Sequence, residues 1–279
     1  MSYKTIATVF RSEHIDSDHL QVAIDITDKM DGHLDVLALG TDRIQPGAYY
    51  AGAAAIAIKN AMDDAVEEAR KAEEAAERIL EPSGVRFEIT RAVAQIGGIP
   101  QIVGRRLGLS DLVVLPKPYG EDRNSEDVAI LEAALFATRV PVLVMPPNVK
   151  TFKSPSEIVI AWNQSDEAMQ AIRSAMPLLM AADKVDIVII DPPDHDPDRS
   201  DPGGLLAALL SRHGVRAEIS ILARTMPRVS DVLLRHVRDK SADLVVMGAY
   251  GHSRFLEEIL GGATRNMLAE AQVPVIMAH

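Results

Sequence analysis

Short apolar runs rich in Val, Ile and Leu alternate along the chain with longer amphipathic stretches. The runs lie near 3–10, 34–40, 85–93, 111–116 and 141–146, and again near 157–162, 185–191, 215–223, 243–248 and 274–278. Strands that are apolar on both faces suit a parallel sheet, because crossover helices cover both of its sides. Between them, segments such as "SDEAMQAIRSAMPLL" and "VSDVLLRHVRDKSA" space their apolar residues as one helix face, with Ser165 and Ser230 at the expected N-caps. The alternation predicts an α/β protein built from two tandem, doubly wound, five-stranded parallel-sheet domains.

The two sets of runs are copies of one another. "GVRFEI" at 84–89 returns as "GVRAEI" at 214–219, an offset of 130. "DLVVL" at 111–115 returns as "DLVVM" at 243–247, and "VPVLVM" at 140–145 as "VPVIMA" at 273–278. "LDVLAL" at 34–39 matches "VDIVII" at 185–190 with the larger offset of 151. The chain is therefore a duplicated domain: residues 1–147, a polar linker at 148–156 within the proline-broken "PPNVKTFKSPS", and residues 157–279. The two last strands, 141–145 and 274–278, are expected to pair antiparallel inside one chain, which removes an exposed sheet edge.

The difference in offset puts about 21 extra residues between the second and third strands of the first half. They include "QPGAYYAGAAAIAI" and much of a charged helical segment in which Ala61, Ala65, Ala69, Ala72 and Ala76 recur at helical spacing. This reads as a long surface helix with a small-residue face. Residues 49–58 suit either a flap or an oligomer contact.

Composition narrows the function. Forty Asp and Glu against 29 Lys and Arg give a net charge of −11, which repels nucleic acid and anionic membranes. No apolar run reaches the roughly 20 residues that span a bilayer. The absence of cysteine excludes disulfides, thiolate metal sites and a Cys nucleophile. A strand starting almost at Met1 leaves no room for a signal peptide, so a cytoplasmic protein is expected.

The chemistry-bearing segment is the last one, "GAYGHSRFLEEILGGATRNMLAEAQVPVIMAH", from Gly248 to His279. Gly248 ends a strand where open α/β sheets place their ligands, and a glycine there admits a ribose or phosphate close to the backbone. A helix starting near Gly262 offers N–H groups and a dipole to an anion, worth about 0.3–1 kcal/mol for the dipole alone. Thr264 adds a hydroxyl, and Arg254 or Arg265 a charge. The other reading is a tight strand-to-helix turn and nothing more.

The spacing Gly248-x2-Gly251-x9-Gly261 resembles the G-x2-G-x9-G-[S/T] signature of the universal stress protein family, in its tandem two-domain form. That resemblance implies the adenine nucleotide alpha hydrolase-like fold packed as an intramolecular pseudo-dimer. It also implies an adenine nucleotide, ATP or AMP, at the strand ends of the second half, with magnesium only if a nucleotide is bound. The residues it points to are Asn163, Ser165, Asp191, Gly248, Gly251, Arg254, Gly261, Gly262 and Thr264. Two positions depart from the family pattern. Gly262 stands where Ser or Thr follows the third glycine, and Asn163, Gln164 and Ser165 stand where ATP-binding members carry an Asp in a D-G-S pattern. An amide in place of that carboxylate costs roughly tenfold in affinity.

In the first half "PKPYGED" replaces "GAYGHSR"; Pro116 and Pro118 remove backbone donors, and Glu121 and Asp122 repel phosphate. One site per chain is the ceiling. No catalytic or metal residue is assigned. His252 and Ser253 lack a nucleophile elbow, "DPPDHDPDRSDP" reads as an acidic loop despite His195, and His236 has no recognisable ligand spacing. A Walker loop and a G-x-G-x-x-G motif are absent. The function expected is a non-catalytic stress-response protein; the alternatives are a slow nucleotide hydrolase and a ligand-free interaction module. A further homodimer is left open.

Overall fold

A computed structural model describes residues 2–43, 54–192, 201–249 and 262–279. By packing, the chain divides into two compact units, one of Tyr3–Val140 with Lys150–Phe152, the other of Pro141–Val149 with Lys153–His279.

The first unit contains β1 (Thr5–Phe10), α1 (Glu13–Lys29), β2 (His33–Asp42), α2 (Ala54–Leu80), β3 (Arg86–Gln95), α3 (Ile99–Leu107), β4 (Leu112–Pro116) and α4 (Ser125–Thr138). Its strands lie parallel in the order β3-β2-β1-β4. Ile6, Phe10, Leu34, Leu37, Leu39 and Leu112 are fully buried. Each such side chain contributes roughly 1.5–3 kcal/mol.

The small-residue face of α2 is a packing face. Ala65, Ala69, Ala72 and Ala76 are buried, and a Cβ on Gly40 of β2 would sit 1.9 Å from the Ala65 carbonyl. Alanine on one side and glycine on the other let this helix approach the strand more closely than ordinary side chains permit. The Tyr49–Ile58 stretch lies outside the described residues up to 53, and its remainder begins α2.

The second unit contains β5 (Val142–Met145), β6 (Glu157–Ala161), α5 (Asp166–Leu179), β7 (Lys184–Ile190), α6 (Gly204–Arg212), β8 (Ala217–Leu222), α7 (Val229–Lys240), β9 (Leu244–Gly248), α8 (Ala263–Glu270) and β10 (Val275–Ala278). The order is β5-β10-β9-β6-β7-β8, all parallel except β5. That strand, the last of the first repeat, pairs antiparallel with β10 through Val144 opposite Val275 and Val142 opposite Met277. The strand pairing expected from the repeated "VPV" segments is thus present.

The repeated "DLVV" owes its aspartate to one job done twice. Asp111 Oδ2 accepts from the backbone N–H groups of Lys4 and Thr5 at 2.6 and 2.9 Å. Asp243 Oδ2 accepts from those of Ser156 and Glu157 at 2.8 and 3.0 Å. Each carboxylate ties the start of its repeat's first strand to the start of the fourth. No described helix is long and apolar enough to cross a membrane.

Candidate functional site

β6, β7 and β9 all end on one side of the second unit, and the chain leaves β6 and β7 through residues with left-handed backbone, Gln164 and Asp191 (φ 62° and 52°). These turns leave a cleft of about 130 Å³ above the strand ends. Ala161, Trp162, Asn163, Val188, Ile190, Met247 and Gly248 line it from the sheet, Val229, Ser230 and Leu233 from α7, and Ala263 and Met267 from α8. The walls are mostly aliphatic and thioether, with one indole, so they suit a flat, largely apolar ring better than a free ion.

Ser230 is not the N-cap the sequence suggested. Arg228 holds that position, and Ser230 lies inside the first turn of α7. It is 1% exposed, and its Oγ has no hydrogen-bond partner among the described residues. A buried, unpaired hydroxyl on the wall of a cleft is the feature that sequence reading missed; only its placement beside apolar strand ends reveals it. Arg228 itself pairs with Asp231 and with Glu270 of α8, at 2.9 and 2.8 Å, tying the two helices that flank the cleft. Its hydrogen bond to Asp231 raises the guanidinium pKa above its ordinary value.

Of the residues marked in the sequence, the structure brings Asn163 and Gly248 to the cleft wall. Asn163 Oδ1 accepts from the Ser165 N–H at 3.2 Å, and Ser165 Oγ caps α5 by accepting from Ala168 N–H at 3.1 Å. Asp191 is exposed and is not part of the lining; Val188 and Ile190 of the same strand are. Gly262 is the N-cap of α8 and has no side chain to offer its first turn, and Ala263 faces the cleft. Thr264 is 3% exposed, a buried residue of that turn rather than a surface hydroxyl. Gly251, His252, Ser253, Arg254, Gly261 and the acidic stretch 193–200 with His195 lie outside the described residues.

Gly248 has a packing role besides its place on the cleft wall. A Cβ there would meet Ala168 N at 2.6 Å and Glu167 C at 2.8 Å, both backbone atoms of α5. The missing side chain makes room for a helix.

The same place in the first repeat is filled from within. Strand register matches Ile6, opposite Leu112, with Ile158, opposite Leu244, so Arg11 occupies the position of Asn163. Arg11 bonds to Glu126 at 3.3 Å and to Asp127. Arg43 joins Glu126 to Glu68, and Arg123 joins Asp127 to Asp16 at 2.9 and 3.2 Å. Asp16, Glu126 and Asp127 are all buried. A residual cavity of about 10 Å³ beside Pro116 has room for no more than one water. The prolines and acids of "PKPYGED" thus accompany a more direct obstruction, the guanidinium at position 11.

Comparison with known proteins agrees with this architecture. Residues 156–279 match the universal stress protein family. A curated universal stress protein of Synechocystis is 25% identical over 149 residues, covering 53% of this chain and 50% of that protein. The chain thus spans about half the length of the curated relative that it matches. A universal stress protein structure from Archaeoglobus fulgidus superposes with TM-score 0.74 at 14% identity, covering 98% of this chain and 95% of that one. Another, from Pseudomonas aeruginosa, gives 0.59 at 15% identity, covering 98% and 92%. At such identities the structures speak for the fold.

Proposed function

Through residues 156–279 the chain belongs to the universal stress protein family, and we propose that it is a non-catalytic stress-response protein that binds one adenine nucleotide in the cleft at the strand ends of its second repeat. The observation that supports the reading is the cleft itself, open at the strand ends and mostly apolar, with the Ser230 hydroxyl buried in its wall and without a partner among the described residues. Such a group costs stability until something bonds to it, and a heterocycle with ring nitrogens and an exocyclic amine supplies both the bond and the flat apolar faces.

Asn163 adds an amide at the mouth of β6, and the first turn of α8 at Ala263 adds a helix N-terminus, favourable to a phosphate. The base packs on Val188, Ile190, Leu233 and Met247, and the phosphates extend toward α8. Asn163 carries no charge to hold a magnesium ion, so affinity is modest and the metal enters only with the nucleotide. The Arg11 network leaves the first repeat without a second site.

Titration calorimetry of the full chain with ATP, AMP and GTP tests this. One equivalent of adenine nucleotide per chain is expected, with GTP weaker. Absence of heat at millimolar ATP and AMP overturns the proposal and leaves the interaction-module reading. Two equivalents per chain would overturn the assignment of the site to the second repeat alone.

A further inference from the structure

The two repeats treat one carboxylate differently. Asp186 on β7 is 3% exposed; its Oδ2 accepts from Ser220 at 3.0 Å and His236 at 2.7 Å, and Lys240 lies 3.3 Å away. Its counterpart in the first repeat is Asp35 on β2, by the match of "LDVLAL" with "VDIVII". The buried positions Val103 and Leu107 of α3 match Leu233 and Val237 of α7, which puts Arg106 in the place of His236. Lys240 then has no counterpart, because Leu107 stands two residues closer to the following "DLVV" than Val237 does. Among the described residues neither Arg105 nor Arg106 pairs with Asp35, although both line a cleft of about 180 Å³ with Asp35, Glu88 and Thr90.

Asp35 instead faces a second carboxylate. Parallel register places Glu88 of β3 directly beside it, and like charges so placed repel. His33 lies two residues earlier on β2, hence on the same face. Its Nε2 is 3.4 Å from Asp35 Oδ1, and the ligand atoms of His33, Asp35 and Glu88 all lie within 4.8 Å of one another. Two ligands held about 2.1 Å from a tetrahedral ion stand about 3.4 Å apart. The spacing is therefore that of a chelate, and Glu88, exposed on β3, completes the third corner by a change of rotamer. Burial, followed by the neighbouring Glu88, raises the Asp35 pKa, while His33 lowers it. A dication would relieve the same repulsion without a proton.

We propose that His33, Asp35 and Glu88 form a binding site for one divalent ion of the zinc class. One imidazole and two carboxylates suit zinc or cobalt; magnesium, which prefers oxygen ligands and gives up its water reluctantly, fits poorly. Water or a small anion completes the shell. This site is independent of the nucleotide cleft.

Untagged full-length protein titrated with cobalt, read by visible d–d absorption and then displaced with zinc, tests the proposal. One equivalent per chain is expected, and His33→Gln and Glu88→Gln should each weaken it by about tenfold or more. Both side chains are at least partly exposed, so unchanged circular dichroism and melting in the absence of metal are expected for these variants. His213→Gln, at the exposed end of α6, is the control and should bind as the parent does. The proposal is overturned if the parent takes up no stoichiometric cobalt or zinc, if His33→Gln binds equally well, or if the control loses as much.

Discussion

Ser230→Ala should raise the stability of the ligand-free protein and lower its affinity for nucleotide. Ser230 is 1% exposed and its Oγ is unpartnered among the described residues, so the parent protein bears the cost of a buried, unpaired hydroxyl. Measured in proteins that cost is about 1–3 kcal/mol. Alanine deletes the oxygen, leaves a void of a single atom, and gains up to about 0.5 kcal/mol of helix propensity. A net gain of about 1 kcal/mol follows, which for a unit of this size moves the melting temperature up by about 2–4 °C. In the complex the same hydroxyl contributes a neutral hydrogen bond of about 0.5–1.5 kcal/mol, so the variant should bind adenine nucleotide about 2- to 12-fold more weakly. Urea unfolding with and without ATP gives the first quantity, and calorimetry the second. Loss of stability in the ligand-free variant would show that the hydroxyl has a partner. A stability gain with unchanged affinity would show an orphan that no ligand uses. Either result refutes the reasoning.

Arg11→Met leaves Glu126 to Arg43 and Asp127 to Arg123 and the Asn124 N–H. With those partners retained, the fold should be destabilised by about 3 kcal/mol, the lower end for breaking a buried ion pair, and nucleotide binding should be unaffected. A change in the urea midpoint worth less than 1 kcal/mol would mean the network is not held by Arg11. Gly248→Ala pushes a Cβ into the backbone of α5 at Glu167 and Ala168, so it should cost about 1–3 kcal/mol and weaken nucleotide binding as the cleft floor shifts; a variant that melts like the parent would sink this account. Burial lowers the His19 pKa from its ordinary 6.5, against the raising effects of Asp16 and the Val9 carbonyl. Below pH 6.5 the unfolded chain binds this proton more readily than the fold does, so the stability from neutral His19 is complete above that value and is lost as pH falls toward the folded pKa. Urea midpoints measured downward from neutral pH should show that slope, and His19→Gln should flatten it.

The architecture was legible because its determinants are local and repeated. Both-face apolar runs placed the strands within a few residues, and the duplicated "VPV" segments gave the antiparallel pairing of β5 with β10. The cleft was only partly legible. Asn163 and Gly248 follow from their place at strand ends, but Ser230 was read as a cap because a serine before an apolar period usually is one. Its burial depends on how α7 packs over β6 and β7, a tertiary fact with no local signature. The packing role of Gly248 had no local signature, since the atom a side chain there would strike belongs to a helix some 80 residues earlier in the chain. The Arg11 network draws on β1, α1, α2 and α4 and the residues flanking them, and no single window of sequence contains it.

Duplication presents the chain with two crevices at carboxyl ends of strands, and the residue just past the first strand decides what each becomes. Such a crevice has backbone groups and helix N-termini that must bond to something, whether a ligand, water or the chain itself. In the first repeat a long cation at position 11 reaches the start of α4, where Glu126 and Asp127 sit, and the crevice closes on its own charges. In the second, the shorter, neutral Asn163 turns back to the Ser165 N–H and leaves the space open. The same logic runs in reverse on the sheet face, where the second repeat pairs Asp186 Oδ2 with its own His and Lys while the first leaves Asp35 beside another carboxylate. Each repeat has thus neutralised one of two inherited polar positions from within and left the other open. The two open positions differ in chemistry, an apolar cleft with a lone hydroxyl and a charged face with an imidazole, so the ligands proposed for them, a nucleotide and a dication, are unlike.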